Sequence, residues 1–162
     1  MKEVNKKVLG IVIALAAVVL ALPISAAYAE KPTIELTLSG KYWMMDANPD
    51  HMKVFTTGNS GNTMFKFRGF VSVWTGDIAG SGVYNGNWVS KSPFEGTYTG
   101  CFILEDVTIA GVGSGDLRIG ALGFDLRIES GSGDLRSIRG KGTTTMVSMI
   151  EWDYELEIQI NP

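Results

Sequence analysis

The chain has 162 residues, 45% of them apolar, with 20 glycines, a single histidine, a single cysteine and a formal net charge of −3. This length fits one domain and its apolar content excludes a disordered polar tail. One His and one Cys exclude the metal sets those residues build, a Ser-His-Asp apparatus away from His51, and an internal disulfide framework. An acidic balance without a basic run argues against nucleic acid and against an anionic membrane surface as partners.

The first segment reads as an address. Lys2, Lys6 and Lys7 precede an uncharged apolar run from Val8 to Leu22, followed by Pro23 and the small-residue triplet Ala27-Tyr28-Ala29. That is the pattern of a secretory signal helix, 1–29, cleaved after Ala29. The run falls short of the roughly 20 residues that a spanning helix needs. A retained anchor is the alternative, and it is then the chain's one membrane contact. In either case the positive flank stays inside and the body is sent out of the cytoplasm. The remaining 133 residues, 30–162, carry 11 basic and 16 acidic side chains, a charge of −5.

Strand signals fill that body. Ile34, Leu36 and Leu38 alternate with Glu35, Thr37 and Ser39, which gives a strand with one dry and one wet face. Asp46-Ala-Asn-Pro-Asp-His51 is turn-like, and His51 is expected as a solvated loop residue. Phe65, Phe67, Gly69, Val71 and Val73 read as the dry face of the next long strand, opposite Lys66, Arg68 and Ser72. Phe70 and Trp74 break that polarity.

Two middle strands have a different texture. Gly80, Gly82, Tyr84, Gly86 and Trp88 share one face, and Phe94, Gly96, Tyr98, Gly100 and Phe102 share one face of the next. Small positions beside large rings let a sheet curl tightly. Curling implies closure, and a closed antiparallel barrel of about eight or nine strands removes the edges of an open sheet. Such a barrel holds either a packed core or one small ligand. The candidate ligand-binding residues are therefore Tyr84, Trp88, Phe94, Tyr98 and Phe102; Arg68 and Glu95 read first as solvated surface positions and otherwise as polar contacts at the rim. Cys101, between the rings, is expected as a buried or half-buried structural thiol. Glu105 and Asp106 fall on opposite sides of a regular strand and make poor acid and base partners.

Asp-Leu-Arg then occurs three times at nine-residue intervals, at Asp116, Asp125 and Asp134, with the outer two copies inside Gly-Ser-Gly-Asp-Leu-Arg. Glycine-rich turns before alternating strands indicate a meander. A β-solenoid on the nine-residue period is the alternative, and a calcium roll on the same period is disfavoured because the Gly-Asp-Leu contiguity spoils its cage. Asp116 and Asp134 are expected to cap turns. Phe124, Leu126 and Ile128 face in against Asp125, Arg127 and Glu129, and Trp152 to Ile160 repeats the strict alternation of the first strand.

The stretch Ser130 to Thr143, with Trp152-Asp-Tyr-Glu-Leu and Phe94-Glu-Gly-Thr-Tyr-Thr-Gly100, resembles a family of uncharacterised microbial proteins of unknown function similar to allene oxide cyclase barrels. The resemblance implies a closed, mostly antiparallel barrel. It does not carry the cyclase reaction across, because that enzyme's pocket residues find no match position by position. The expected function is an exported, non-enzymatic barrel without cofactor or metal, binding a small apolar or amphipathic ligand or acting as an envelope interaction module. The alternatives are a cyclase-like isomerase of an apolar carboxylic acid and a surface adhesin or structural β-protein.

Overall fold

The computed structural model describes residues 33–46, 48–57, 62–92 and 95–161. The expected signal segment, 1–29, lies outside the described residues, as does Phe94. Nine strands follow in order: β1 (Ile34–Met45), β2 (Met52–Thr57), β3 (Asn62–Gly76), β4 (Ile78–Ser92), β5 (Glu95–Ile109), β6 (Gly113–Leu122), β7 (Asp125–Gly131), β8 (Ile138–Met146) and β9 (Glu151–Ile160). All pairings are antiparallel, in the order β1-β9-β8-β7-β6-β5-β4-β3-β2. A second pairing of β1, with β3, shuts eight strands into a barrel. The solenoid alternative is thereby overturned, since each strand pairs with hairpin neighbours and the sheet closes on itself.

β2 is the extra strand. It occupies the same edge of β3 that β1 vacates, because Met45 pairs with Val71 and Met52 then pairs with Phe67. The interruption holds a 3₁₀ turn at Pro49–His51, capped by the Asn48 side chain accepting the Asp50 N–H (3.0 Å). His51 is half exposed there and pairs with Asp46.

Inward and outward faces follow the alternation except at bulges. In β9, Trp152, Tyr154, Leu156, Ile158 and Ile160 are all buried and their neighbours are not. In β3 the register shifts between Phe67 and Phe70, where Gly69 takes φ +64° and donates its N–H to Asn85 Oδ1 (2.8 Å). One extra residue reverses parity from there on. Ser72 and Trp74 face in and Val71 faces out, correcting the uninterrupted dry face expected from Phe65 to Val73. Ser72 is tolerated inside because its Oγ accepts the Trp74 indole N–H (2.9 Å). A second bulge, between Leu104 and Val107 in β5, has Asp106 at φ +51°. It turns both Glu105 and Asp106 to the exposed surface, not to opposite sides.

The barrel is filled by rings at its waist. Tyr42 stacks on Trp74 (4.6 Å), both meet Phe102 edge-on, and Tyr84 lies 4.8 Å from Phe102. Offset and edge-on ring contacts of this kind add to the large area that each ring buries. One end is plugged by Ile78, Val107, Ile109, Leu135 and Ile138, all buried. The outer copies of the Asp-Leu-Arg repeat finish this plug, while the middle copy begins β7 nearer the other end. All three leucines, Leu117, Leu126 and Leu135, are buried, and the outer aspartates tie backbone together: Asp116 Oδ1 accepts the Asp106 N–H (3.2 Å) and Asp134 Oδ2 accepts the Ser114 N–H (3.1 Å). The third copy is a 3₁₀ turn, Gly133–Leu135, and not a strand.

Candidate functional site

The opposite end of the barrel is open. β1 stops pairing with β9 at Trp43, and β6 stops pairing with β5 at Leu122. β2, β3, β4 and β5 run on past this level, paired as far as Thr57 with Asn62, Thr63 with Ser90 and Ser92 with Glu95. The result is a four-stranded lip. Its inner face carries Met52, Phe65, Phe67, Trp88, Gly96 and Tyr98. The β6–β7 turn with Phe124 and the β8–β9 loop from Val147 to Ile150 stand across from it.

Between lip and loops lies a cavity of ≈ 590 Å³, lined by methionines and rings with Met44 as one of its lining residues. This is the size range of small-molecule sites, and the apolar lining is of the kind they use. A larger hollow of ≈ 770 Å³ lies on β1 and β7–β9. It is lined by Arg127, Arg139, Lys141, Glu35 and Glu157 alongside Leu36, Ile128 and Ile158, a mixed-charge stretch without a ring and less apolar than the mouth cavity. The void beneath the mouth, among Tyr42, Tyr84, Tyr98, Phe102 and Trp152, is ≈ 10 Å³, about the volume of one water. The waist is full and the mouth is not.

The cavity wall is a stack of three rings. Trp88 lies 4.9 Å from Phe65 and 5.3 Å from Tyr98, and is nearly parallel to both. The position opposite Ser90 has to be glycine, because a Cβ on Gly96 would overlap the Trp88 indole nitrogen. That indole N–H and the Trp152 N–H have no hydrogen-bond partner among the described residues, although buried donors are normally paired. Tyr98 anchors the facing turn through its backbone carbonyl, which accepts the Gly123 N–H (2.7 Å). Burial raises the Tyr98 phenol above its ordinary range, so it remains a neutral donor at physiological pH.

Of the five candidate binding residues, Trp88 and Tyr98 line this cavity. Tyr84 and Phe102 face inward but lie lower, in the packed waist, where they border only the small void. Phe94 is outside the described residues. Arg68 is exposed, as a surface residue, and staples the β3 bulge by donating to the carbonyls of Phe67 (2.6 Å) and Gly86 (2.9 Å); it is not among the residues lining the cavity. Cys101 is half-buried on the outer face of β5, with burial raising its thiol. The methionine lining, Met44, Met52, Met146 and Met149, was not foreseen. Its signal was present: Met146-Val-Ser-Met-Ile150 is an uncharged, mostly apolar run placed where a turn should be polar.

No protein-family model matches the chain, and no curated protein matches it. Among solved structures it is similar to a crystal structure of a protein of unknown function from the DUF3224 family of Shewanella oneidensis MR-1. That likeness has 13% identity and a TM-score of 0.52, over 81% of this chain and 99% of that one. At such identity it speaks for the fold alone: this chain has the barrel of an uncharacterised microbial domain, and kinship with allene oxide cyclase stays outside that finding.

Proposed function

We propose that the protein is exported and holds a small amphipathic ligand, an acyl chain with an oxygen-bearing head, in the mouth of its barrel. The observation that carries this reading is the ≈ 590 Å³ cavity walled by Phe65, Trp88, Tyr98 and methionines. Methionine suits a flexible chain because the thioether is soft and adapts its rotamers to the occupant. Tyr98 and Ser148 supply hydroxyls for the head, and the buried Trp88 indole N–H in the cavity wall has no partner among the described residues. The lysine-flanked apolar run at residues 2–22 supports action outside the cytoplasm.

Holding is favoured over isomerisation of the same ligand. Among the described residues the lining offers no carboxylate, imidazole or amine, the groups that commonly move protons. The test is displacement of the fluorescent probe 1-N-phenylnaphthylamine by long-chain fatty acids. Displacement by the wild type, lost in Phe124→Asp/Met149→Asp, which puts charge on the exposed part of the apolar lining, with thermal unfolding still cooperative, supports the reading. A wild type that binds neither probe nor fatty acid ends it.

A further inference from the structure

The rim of the mouth exposes large apolar side chains drawn from separate stretches of sequence. Met45 ends β1, Met52 begins β2, Leu122 (63% exposed) and Phe124 (52%) flank the β6–β7 turn, and Met149 (71%) and Ile150 crown the β8–β9 loop. Single exposed apolar residues need no explanation, but a cluster confined to one end of a barrel marks a surface that something covers. The charges beside it say what. Lys53 and Lys66 are register partners on β2 and β3, and like charges directly opposite one another destabilise a sheet. Neither lysine takes part in an ion pair among the described residues. Lys66 lies over the Phe55 ring (5.7 Å). Arg68 follows on the same strand, and among the described residues β2, β3 and β4 carry no carboxylate; the acidic neighbours of the rim are Asp46, which pairs with His51, Asp50 in the 3₁₀ turn and Asp125 at the start of β7. A body that is acidic overall thus sets two lysines, without an ion-pair partner among the described residues, next to its apolar rim.

We propose that this rim docks on an anionic lipid bilayer, with Leu122, Phe124, Met149 and Ile150 entering the acyl boundary and Lys53 and Lys66 reaching the headgroup phosphates. Apolar burial and cation–phosphate attraction are the two contributions that hold a peripheral protein at such a surface. The net charge of the chain conceals this pair, because folding sets Lys53 and Lys66 side by side on strands that hold no carboxylate among the described residues. The docking goes beyond ligand holding and stands without it, since Leu122, Lys53 and Lys66 are not part of the cavity lining. Together the two place the entrance of the cavity against the membrane.

Vesicle flotation of residues 30–162 tests the proposal, because every strand pairing and the whole core fall inside that segment. Phosphatidylcholine vesicles containing phosphatidylglycerol should carry the protein up, and pure phosphatidylcholine should not. Binding should weaken with salt and fall about fivefold per cation, so about 25-fold in Lys53→Gln/Lys66→Gln. Leu122→Ser/Met149→Ser should abolish it, while Arg127→Gln/Lys141→Gln, on β7 and β8, should leave it unchanged. Phenylnaphthylamine binding by the lysine variant, measured without vesicles, should remain at the wild-type level, which separates docking from ligand holding. Equal flotation on neutral vesicles, or indifference to the lysines, overturns the proposal. So does a doubled sedimentation mass that Leu122→Ser/Met149→Ser returns to monomer, which assigns the rim to a second copy of the chain.

Discussion

The hydroxyl of Tyr154, on β9, accepts the backbone N–H of Ile78 at 2.9 Å and donates to the carbonyl of Thr75 at 3.2 Å. It thereby pins the β3–β4 turn to a strand 76 residues further along the chain. The ring passes over Gly40, where a Cβ would lie 2.5 Å from the Tyr154 oxygen. Tyr154→Phe leaves the buried Ile78 donor without a partner, and an unpaired buried amide costs about 1–3 kcal/mol. Urea unfolding should show a loss of that size. Gly40→Ala should lose at least as much, because the intruding methyl meets backbone on one side and the fixed phenol on the other. A Tyr154→Phe loss below about 0.5 kcal/mol, the scale of an ordinary surface change, would mean that the turn is held by other contacts.

The repeat makes a different claim, that its leucine is structural and its aspartate only a fastener. Leu135 is fully buried in the plug, so Leu135→Ala should cost about 2–5 kcal/mol through lost burial and the cavity left behind. Asp134→Ala removes one exposed bond to the Ser114 amide and should cost about 1 kcal/mol. Chemical denaturation of the two variants side by side checks the ranking. A larger effect of Asp134, or a stability gain from calcium in the wild type, would return the repeat to metal chemistry.

Alternation made much of this legible from residues alone. β9 reads from sequence as it folds, because no bulge interrupts Trp152 to Ile160. β3 does not, since the residue that reverses its parity, Gly69, makes a bulge only in company with Asn85 on the neighbouring strand, and that partnership is long-range. Phe70 and Trp74 were the local clue, two rings on a face otherwise read as wet. Site residues divided in the same way. Trp88 and Tyr98 were readable as inward rings, but whether an inward ring lines a cavity or fills the waist depends on how far β2–β5 outrun their neighbours, which strand register decides. Tyr84 and Phe102 belong to the same stripes and fall on the filled side.

Alkaline pH should unfold the barrel through its tyrosines. Burial pushes Tyr154 up to about 12, and it raises Tyr42 and Tyr84 well above the ordinary phenol range. In the unfolded chain each ionises near pH 10. The folded state therefore keeps protons that the unfolded state has released. Their stabilising contribution is whole below about pH 10 and declines as pH rises toward 12 and beyond, by about 1.4 kcal/mol per pH unit for each fully buried tyrosine. Tyrosinate absorbance should rise together with loss of ellipticity, in one cooperative step above pH 10. A gradual titration near pH 10 with the fold intact would show these phenols open to solvent.

Four tryptophans occupy distinct environments, and this makes the cavity reading testable by light. Trp74 and Trp152 are sealed in the waist, Trp43 is half-buried on β1 outside the cavity lining, and Trp88, 9% exposed, forms the cavity wall. A fatty acid brominated along its chain quenches indoles that it touches. Added to the protein, it should remove the part of the emission that belongs to Trp88 and saturate as the cavity fills. Trp88→Phe should abolish that saturable quenching, and Trp74→Phe should preserve it. Quenching that persists in Trp88→Phe and disappears with the exposed-face change Trp43→Phe would place the acyl chain on the outside of the barrel, and the mouth cavity would lose its claim to the ligand.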